Sequence, residues 1–248
     1  MTSVLCIGGT DSSGGAGLLR DAGVAQDLGF VAKPVVTCVT AQSNFAVHQI
    51  LPMPTDLITA QIDAAFDDTP PKAVKIGMVG GADMAGAIVS ALRGRDIPIV
   101  FDPVLKASSG GELSDQNGLH SLIAISTLVT PNAIEAAHLT GIKAEADLAG
   151  PTAQAEVLMK MGAHAVMIKG GHIQGDICSD RLFFRDKSTS FDAPRLSQNR
   201  RGTGCTLASA IACNLAAGYP LTQACARAKT YVHRWIASAE PNFGSGAT

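Results

Sequence analysis

The sequence has few aromatic and few charged residues. Aromatic side chains make up 4% of the 248 residues and charged side chains 16%, whereas apolar residues make up 46%. The core must therefore be built mainly from Ala, Val, Ile and Leu, which suits a buried parallel sheet flanked by helices of small residues. A chain of this length can form one large α/β domain, and we expect residues 1–248 to be a single domain with a flexible tail from about residue 240.

The sequence also lacks a basic block, and its formal net charge is −2. This charge pattern disfavours nucleic-acid binding. The chain does not open with a charged region followed by a long apolar stretch, and no apolar run reaches the length that crosses a membrane. We therefore expect a cytoplasmic protein that binds neither nucleic acid nor membrane.

The cysteines show neither CxxC spacing nor the pattern of a disulfide scaffold. The six are Cys6, Cys38, Cys178, Cys205, Cys213 and Cys225. Most lie among apolar residues, which predicts buried free thiols. Only Cys205 has neighbours that suggest chemistry.

Cys205 follows a turn that contains two glycines. The segment Gly202-Thr203-Gly204-Cys205 precedes an Ala- and Leu-rich stretch over 207–217, which predicts a helix that ends at Gly218. Glycines directly before a helix free backbone N–H groups to converge at its positive end. Such an arrangement favours an anion-binding site.

Cys205 lies at the mouth of this predicted anion site. The field of the helix and the nearby Arg200 and Arg201 would favour a thiolate at Cys205. Taken alone, the same segment is equally compatible with a tight turn and a buried cysteine, so the rest of the chain has to decide.

Predicted strands alternate with predicted helices along the chain. Apolar and β-branched runs predict strands over 4–7, 35–40, 73–78, 98–104, 127–130 and 165–169, and a hairpin over 181–184 and 189–191. Helical patterns cover 18–28, 56–66, 83–92, 119–125, 133–139, 152–161, 207–217 and 221–237. This order predicts an α/β fold with a mostly parallel sheet and helices on both faces.

Most of the predicted strands end in small or polar residues. In an open parallel sheet, ligands bind beyond the carboxyl ends of the strands. One edge of the sheet should therefore carry Gln42, Met78, Asp102, Asn132, Lys169 and Gly202–Cys205.

These residues match the needs of phosphoryl transfer, which depends on a phosphate cradle, a metal and a group that deprotonates the acceptor hydroxyl. The turn at Gly202–Cys205 supplies the cradle and Lys169 a positive charge for phosphate, while Asn132 and Glu135 offer oxygen ligands to hydrated Mg²⁺. Each also has a structural interpretation. Asn132 and Glu135 have the spacing of a helix capping box, and Lys169 could be a surface lysine at a strand end. The two interpretations of Asn132 and Glu135 are compatible.

Seven short motifs occur in order along the chain. They are Gly-Thr-Asp-Ser-Ser-Gly-Gly-Ala-Gly (9–17), Thr-Ala-Gln (40–42), Val-Lys-Ile-Gly-Met (74–78), Asp-Pro-Val (102–104), Thr-Pro-Asn-x-x-Glu (130–135), Lys-Gly-Gly-His (169–172) and Gly-Thr-Gly-Cys (202–205). In these motifs the chain resembles the hydroxymethylpyrimidine/phosphomethylpyrimidine kinases of thiamine biosynthesis, which belong to the ribokinase-like superfamily. The resemblance continues to about Trp235.

The resemblance implies a ribokinase-like three-layer sandwich and the phosphorylation of 4-amino-5-hydroxymethyl-2-methylpyrimidine and of its monophosphate, with ATP and Mg²⁺. It implies that the pyrimidine is surrounded by Gly9, Asp21, Gln42, Met78 and Val104. It places Lys169, Thr206 and Asn132 near ATP, and Asn132 and Glu135 near Mg²⁺, which they would hold through water. The implied catalytic set is Gly202, Thr203, Gly204, Cys205 and Lys169, with Cys205 in the position of the base.

The chain departs from the family pattern just before Gly202, where Asn199-Arg200-Arg201 replaces the common Asn-Thr-His. A pyridoxal kinase of the same superfamily and a non-catalytic pyrimidine-binding protein remain alternatives. Gln42 and Cys205 favour the aminopyrimidine, because an amide can both donate to a ring nitrogen and accept from an amino group. The number of phosphorylation steps and the oligomeric state stay open, and a homodimer is one candidate.

Overall fold

The strands and helices alternate along most of the chain. The computed structural model describes residues 1–105, 118–143, 149–171 and 175–239. Within these ranges the strands are β1 (Ser3–Gly9), β2 (Val31–Gln42), β3 (Val47–Pro52), β4 (Val74–Ile76), β5 (Ile99–Phe101), β6 (Leu128–Val129), β7 (Ala165–Ile168), β8 (Ile177–Phe184) and β9 (Lys187–Pro194). The helices are α1 (Gly17–Asp27), α2 (Thr55–Asp67), α3 (Ala82–Leu92), α4 (Leu119–Ala124), α5 (Ala133–Thr140), α6 (Ala149–Lys160), α7 (Thr203–Ala216) and α8 (Leu221–Ala237).

The described strands form one sheet in the order β3-β2-β1-β4-β5-β6-β7-β8-β9. The six strands β2, β1, β4, β5, β6 and β7, which are neighbours in this order, are parallel to one another. At one edge β3 pairs antiparallel with β2, and at the other β8 and β9 form an antiparallel hairpin. The mostly parallel sheet and the hairpin are therefore confirmed.

The helices cover both faces of this sheet. β1 is buried along its whole length, because its side chains alternate between two hydrophobic cores: Leu5 and Ile7 belong to one, Val4 and Cys6 to the other. The first core includes buried side chains of α2 to α6, and the second includes those of α1, α7 and α8. The protein is therefore a three-layer sandwich, as expected.

Three elements differ from the sequence prediction. β2 continues to Gln42, so this residue ends the strand instead of following it. β3 is not predicted by any apolar pattern, because it is an edge strand whose side chains are exposed or half-buried. α7 begins at Thr203 instead of residue 207, so Gly204 and Cys205 lie in its first turn and Gly202 is its N-cap.

Two predictions fall outside the described ranges: the flexible tail from about residue 240, and the place of His172 in the Lys-Gly-Gly-His motif. Within those ranges, no helix combines the length and the apolar character needed to cross a membrane.

Candidate active site

A cavity of about 360 Å³ opens at the carboxyl ends of the parallel strands. This is the edge at which ligands bind in open α/β sheets. Most of the sequence-predicted site residues line it: Gly9, Gln42, Met78, Val104, Asn132, Glu135, Lys169 and Gly202–Cys205. The structure therefore brings together residues from the ends of β1, β2, β4, β5, β6 and β7 and from the start of α7.

The start of α7 presents free backbone donors to this cavity. No side chain caps Gly202, and the first helical hydrogen bond runs from the N–H of Thr206 to the carbonyl oxygen of Gly202. The N–H groups of 203–205 therefore precede the regular hydrogen bonds of the helix and can bind an anion. Gly202 has φ = 77°, and a Cβ there would overlap the carbonyl oxygen of Gly15, so only glycine fits at this position.

Thr206 itself does not line the cavity. Its side chain is fully buried, and its hydroxyl donates to the carbonyl oxygen of Gly202 at 2.8 Å. The implied position of Thr206 near ATP stays a prediction. Thr206 instead supports the first turn of α7.

Facing this turn is a buried ion pair between Lys169 and Asp102. Lys169 Nζ donates to Asp102 Oδ1 at 2.7 Å and lies 3.6 Å from Glu135 Oε2. A Cβ on Gly204 would lie 3.3 Å from both Lys169 Nζ and Asp102 Oδ2, so the turn packs directly on the pair. Burial alone would lower the pKa of Lys169, but the carboxylates of Asp102 and Glu135 outweigh it and raise this pKa above its ordinary value. Lys169 is therefore a permanent positive charge in the cavity wall, and not a solvated surface lysine.

Asn132 and Glu135 form the predicted capping box at the start of α5. Asn132 Oδ1 accepts the N–H groups of Ile134 and Glu135, both at 2.9 Å, and Glu135 Oε2 accepts the N–H of Asn132 at 2.7 Å. The structural interpretation of this pair is thus confirmed. Because both lone pairs of Asn132 Oδ1 are used, its amide nitrogen is the atom left for a ligand or a water.

Asp21 is not on the cavity wall, although the resemblance implies that it contacts the pyrimidine. The side chain is fully buried between α1, β4 and α7, where it accepts from Lys75 Nζ at 2.7 Å and from Ser209 Oγ at 2.8 Å. Lys75 does line the cavity. Asp21 is therefore connected to the cavity through its ion pair with Lys75, and its implied place around the pyrimidine stays a prediction.

Lys75 is a cavity-lining residue to which sequence reasoning gave no role. Only 1% of its side chain is exposed. Burial alone would lower the pKa of Lys75, but Asp21, Cys205 and Asp102 outweigh it, and its pKa is raised above the ordinary value. The signal was present in the sequence, since a lysine in the middle of the apolar strand Val-Lys-Ile cannot be buried without a carboxylate partner.

The expectation of a lowered pKa at Cys205 is wrong for the ligand-free protein. Burial raises the pKa of this thiol, and the charges of Asp21 and Asp102 add to the effect, while Lys75 and the N–H of Gly17 oppose it. Neither neighbouring arginine supplies the expected positive charge. The guanidinium of Arg200 donates to the carbonyl oxygen of Trp235 and stacks on its ring.

Arg201 does reach the cavity wall, but it is paired with Asp11 at 3.1 Å. Sequence reasoning took this arginine only as a neighbour of Cys205 and gave Asp11 no role. Both residues line the cavity; Asp11 lies within the motif at 9–17, and Arg201 directly precedes the motif at 202–205.

Gln42 is held at the end of β2 by its neighbours. Ser12 Oγ donates to the backbone oxygen of Gln42 and accepts from its backbone N–H, both at 2.7 Å. Thr40 Oγ1 donates to the carbonyl oxygen of Thr10 at 2.7 Å and also lies 3.3 Å from Gln42 Oε1. The backbone of Gln42 is therefore fixed by Ser12, and its amide lines the cavity.

Known proteins resemble this chain along almost its whole length. The family model of phosphomethylpyrimidine kinase matches residues 11–248. A hydroxymethylpyrimidine/phosphomethylpyrimidine kinase of Rhizobium meliloti is 41% identical over 246 residues, which are 97% of this chain and 92% of that protein.

Solved structures agree with this result. A phosphomethylpyrimidine kinase of Clostridium difficile superposes with a TM-score of 0.82 at 33% identity, covering 95% of this chain and all of that one. A pyridoxal kinase of Staphylococcus aureus in complex with pyridoxal superposes with a TM-score of 0.88 at 25% identity, covering 98% and 90%. The ribokinase-like fold is thus confirmed, and the chain is a kinase that belongs to the phosphomethylpyrimidine kinase family.

Proposed function

We propose that this kinase transfers the γ-phosphate of ATP to the hydroxymethyl oxygen of 4-amino-5-hydroxymethyl-2-methylpyrimidine, and then phosphorylates the monophosphate. One observation carries the proposal: the Lys169–Asp102 pair and the open N-terminus of α7, which packs on it, together line one cavity. Phosphoryl transfer requires mainly such a positioned set of charges and donors. The relatives named for this reaction support the choice of substrate.

The donor end of the cavity fits a nucleoside triphosphate. The N–H groups of 203–205 and the Lys169 ammonium offer donors and positive charge to phosphate oxygens. Solved pyridoxal kinases of this fold bind AMP-PCP and ADP. ATP is therefore the proposed phosphoryl donor.

The same end fits Mg²⁺ held partly by water. No three acidic, histidine or cysteine side chains converge into a metal cage in the described ranges, but Mg²⁺ commonly needs only one or two carboxylates besides water and phosphate. Glu135 lines the cavity and supplies one such carboxylate. Burial raises the pKa of this carboxyl and Lys169 opposes the rise, so a cation bound there would stabilise the ionised form. Glu135, with Asn132 acting through water, would hold the ion, which when bound spreads the phosphate charge.

The acceptor end fits a small heteroaromatic ring. Met78 and Val104 offer apolar surface, and the Gln42 amide offers one donor and one acceptor side by side. A ring nitrogen next to an exocyclic amino group is the complementary pattern. The aminopyrimidine has this pattern, which supports it as the acceptor.

Cys205 is the proposed base. As the acceptor oxygen bonds to the γ-phosphorus, the bond to the bridging oxygen breaks, ADP leaves, and the hydroxyl proton passes to Cys205 Sγ. Lys75 and the N–H of Gly17 stabilise the thiolate that accepts this proton. The N–H groups of α7 stabilise the transferring phosphoryl group.

The test is a panel of acceptors with Mg-ATP: the hydroxymethylpyrimidine, its monophosphate and pyridoxal, with products identified by mass spectrometry. We expect the mono- and diphosphate of the pyrimidine. The likeness to pyridoxal kinases makes pyridoxal the second candidate, and its phosphorylation alone would refute the pyrimidine proposal. Binding of the pyrimidine without any phosphorylation would show a non-catalytic protein. Location in the cytoplasm and assembly as a homodimer stay predictions for fractionation and light scattering.

A further inference from the structure

One arginine ties two loops to the start of α7. Arg201 Nη2 pairs with Asp11 Oδ2 at 3.1 Å, and Arg201 Nη1 donates to Ser13 Oγ at 2.6 Å. The same Nη1 donates to Asn44 Oδ1 at 2.9 Å and to the carbonyl oxygen of Ser43 at 3.3 Å. We call these contacts the Arg201 network. It joins the loop after β1, the turn after β2 and the residue directly before the N-cap of α7.

The Asp11–Arg201 pair of this network is largely shielded from water, whereas the contact with Asn44 is exposed. The side chain of Asp11 is 3% exposed and that of Arg201 is 19% exposed. Asp11 Oδ1 also accepts from the N–H and the hydroxyl of Ser13, at 2.9 and 2.7 Å. A buried, multiply bonded arginine–carboxylate pair is stronger than a surface pair and far more demanding of geometry.

The loop that Arg201 holds is the loop that holds Gln42. Ser12, between the two residues of this loop that Arg201 contacts, makes the reciprocal hydrogen bonds with the backbone of Gln42. On the other side of Gln42, Ser43 and Asn44 contact Arg201 directly. The end of β2 is thus fastened to Arg201 from both sides.

Close packing leaves these segments little room to shift. A Cβ on Gly15 would lie 3.1 Å from Arg201 Nη1 and 3.4 Å from its Cζ, so the glycine loop rests on the guanidinium. One residue further along, Gly202 packs against the carbonyl oxygen of Gly15. The guanidinium therefore sets the distance between the loop after β1 and the first turn of α7.

We propose that Arg201 is a positioning residue for the acceptor: it holds Gln42 and the loop after β1 in register with Cys205. This inference rests on the proposed function, which assigns the acceptor to the Gln42 end of the cavity. Asp11 accepts from Nη2, while Ser13, Ser43 and Asn44 converge on Nη1. Neither lysine nor the histidine common at this position in the family pattern reproduces these two adjacent donor nitrogens.

The experiment compares Arg201→Met and Arg201→Lys with Arg200→Met, the adjacent arginine, which stacks on Trp235 outside the network. Steady-state kinetics give kcat and the KM of acceptor and ATP separately. We expect Arg201→Met to raise the acceptor KM at least about tenfold, with Arg201→Lys restoring little, because hydrogen bonds to charged groups are lost. The KM of ATP should stay within about twofold, and Arg200→Met should leave both KM values within about twofold.

Hydrogen exchange of the ligand-free protein provides a readout that needs no substrate. In Arg201→Met we expect faster exchange at 11–16 and 42–46, with α3 and α8 unchanged. Asn44→Ala, which removes one exposed contact, should give a smaller change in the same direction and keeps the test valid if Arg201→Met folds poorly.

An acceptor KM within twofold of wild type in Arg201→Met overturns the proposal, whatever the exchange data show. Equal rises in both KM values, matched by Arg200→Met, overturn it as well, because they indicate general destabilisation. If the wild-type protein phosphorylates only pyridoxal, the proposed function fails, and the same KM comparison with pyridoxal then decides the role of Arg201.

Discussion

Replacing Cys205 with alanine tests whether this thiol is the base. The structure places Cys205 in the first turn of α7 at the cavity wall, where burial raises its pKa above the ordinary thiol value. A base must be deprotonated to act. A raised pKa therefore means that the active form keeps growing as the pH rises through and above the neutral range, instead of reaching a plateau near pH 7.

The expected pH dependence of the rate follows from the raised pKa of Cys205. A thiol whose pKa exceeds the ordinary value, near 8.5–9, is deprotonated to the extent of about a few per cent or less at pH 7. The rate should therefore rise about tenfold per pH unit between pH 6.5 and 8.5. General base catalysis contributes about 10²–10⁴-fold, so Cys205→Ala should lower kcat by an amount in that range and leave ATP affinity nearly unchanged.

Two measurements check the reasoning. The first is kcat/KM for the acceptor from pH 6 to 10 in wild type, Cys205→Ala and Cys205→Ser, where serine keeps the size of the side chain without its acidity. The second is the rate of alkylation of the Cys205 peptide in the ligand-free protein, followed by mass spectrometry over the same pH range. Cys205→Asp should recover part of the lost rate if the carboxylate reaches the acceptor hydroxyl.

Two results would refute the proposal that Cys205 is the base. If the pH dependence persists in Cys205→Ala, another group is titrating. If both the Ala and the Ser variant stay close to wild type in kcat, the N–H groups of α7 supply the catalysis and the thiol only packs. An alkylation rate that levels off below pH 8 would contradict the raised pKa itself.

Three further substitutions have definite outcomes. Lys75→Met leaves the buried Asp21 carboxylate unpaired and should lower the free energy of unfolding in urea by about 3–5 kcal/mol, whereas combining it with Asp21→Asn should restore most of the loss. Equal losses in the single and double variants would contradict the ion pair. Gln42→Leu should weaken calorimetric binding of the pyrimidine by about 1–3 kcal/mol, and an unchanged affinity removes its proposed role. Gly202→Ala should lower kcat and melting temperature more than Gly218→Ala does. Both glycines have positive φ, but only a Cβ at Gly202 would overlap a backbone atom, the carbonyl oxygen of Gly15. Equal effects would contradict the close packing at Gly202.

The order of elements and the edge of the sheet at which the cavity opens were predictable because both depend on local pattern. Apolar runs separated by glycines and polar residues identify buried strands and their ends. Two of the three elements that differ from the prediction, β3 and α7, do so for physical reasons. β3 is an exposed edge strand and carries little apolar pattern. α7 starts with Gly204 in its first turn, against glycine's low helix propensity, because its packing on the Lys169–Asp102 pair decides the conformation there.

The electrostatics at Cys205 could not be predicted from local sequence, because the charges that act there come from distant elements. The local features, a helix start and two arginines, both favour a lowered pKa. In the fold, Arg200 and Arg201 bind other groups, while Asp21 and Asp102 approach from α1 and β5.

A buried charge pair can nevertheless be inferred when two patterns are read together. Asp21 shares the buried face of α1 with Leu18, Val24 and Ala25, and Lys75 stands in the fully buried strand β4. Since neither charge can be buried alone, an acid on an apolar helix face and a lysine in an apolar strand predict each other as partners. In the fold this pair lies next to Cys205. The positive charge of Lys75 is there the group that opposes the rise in the Cys205 pKa.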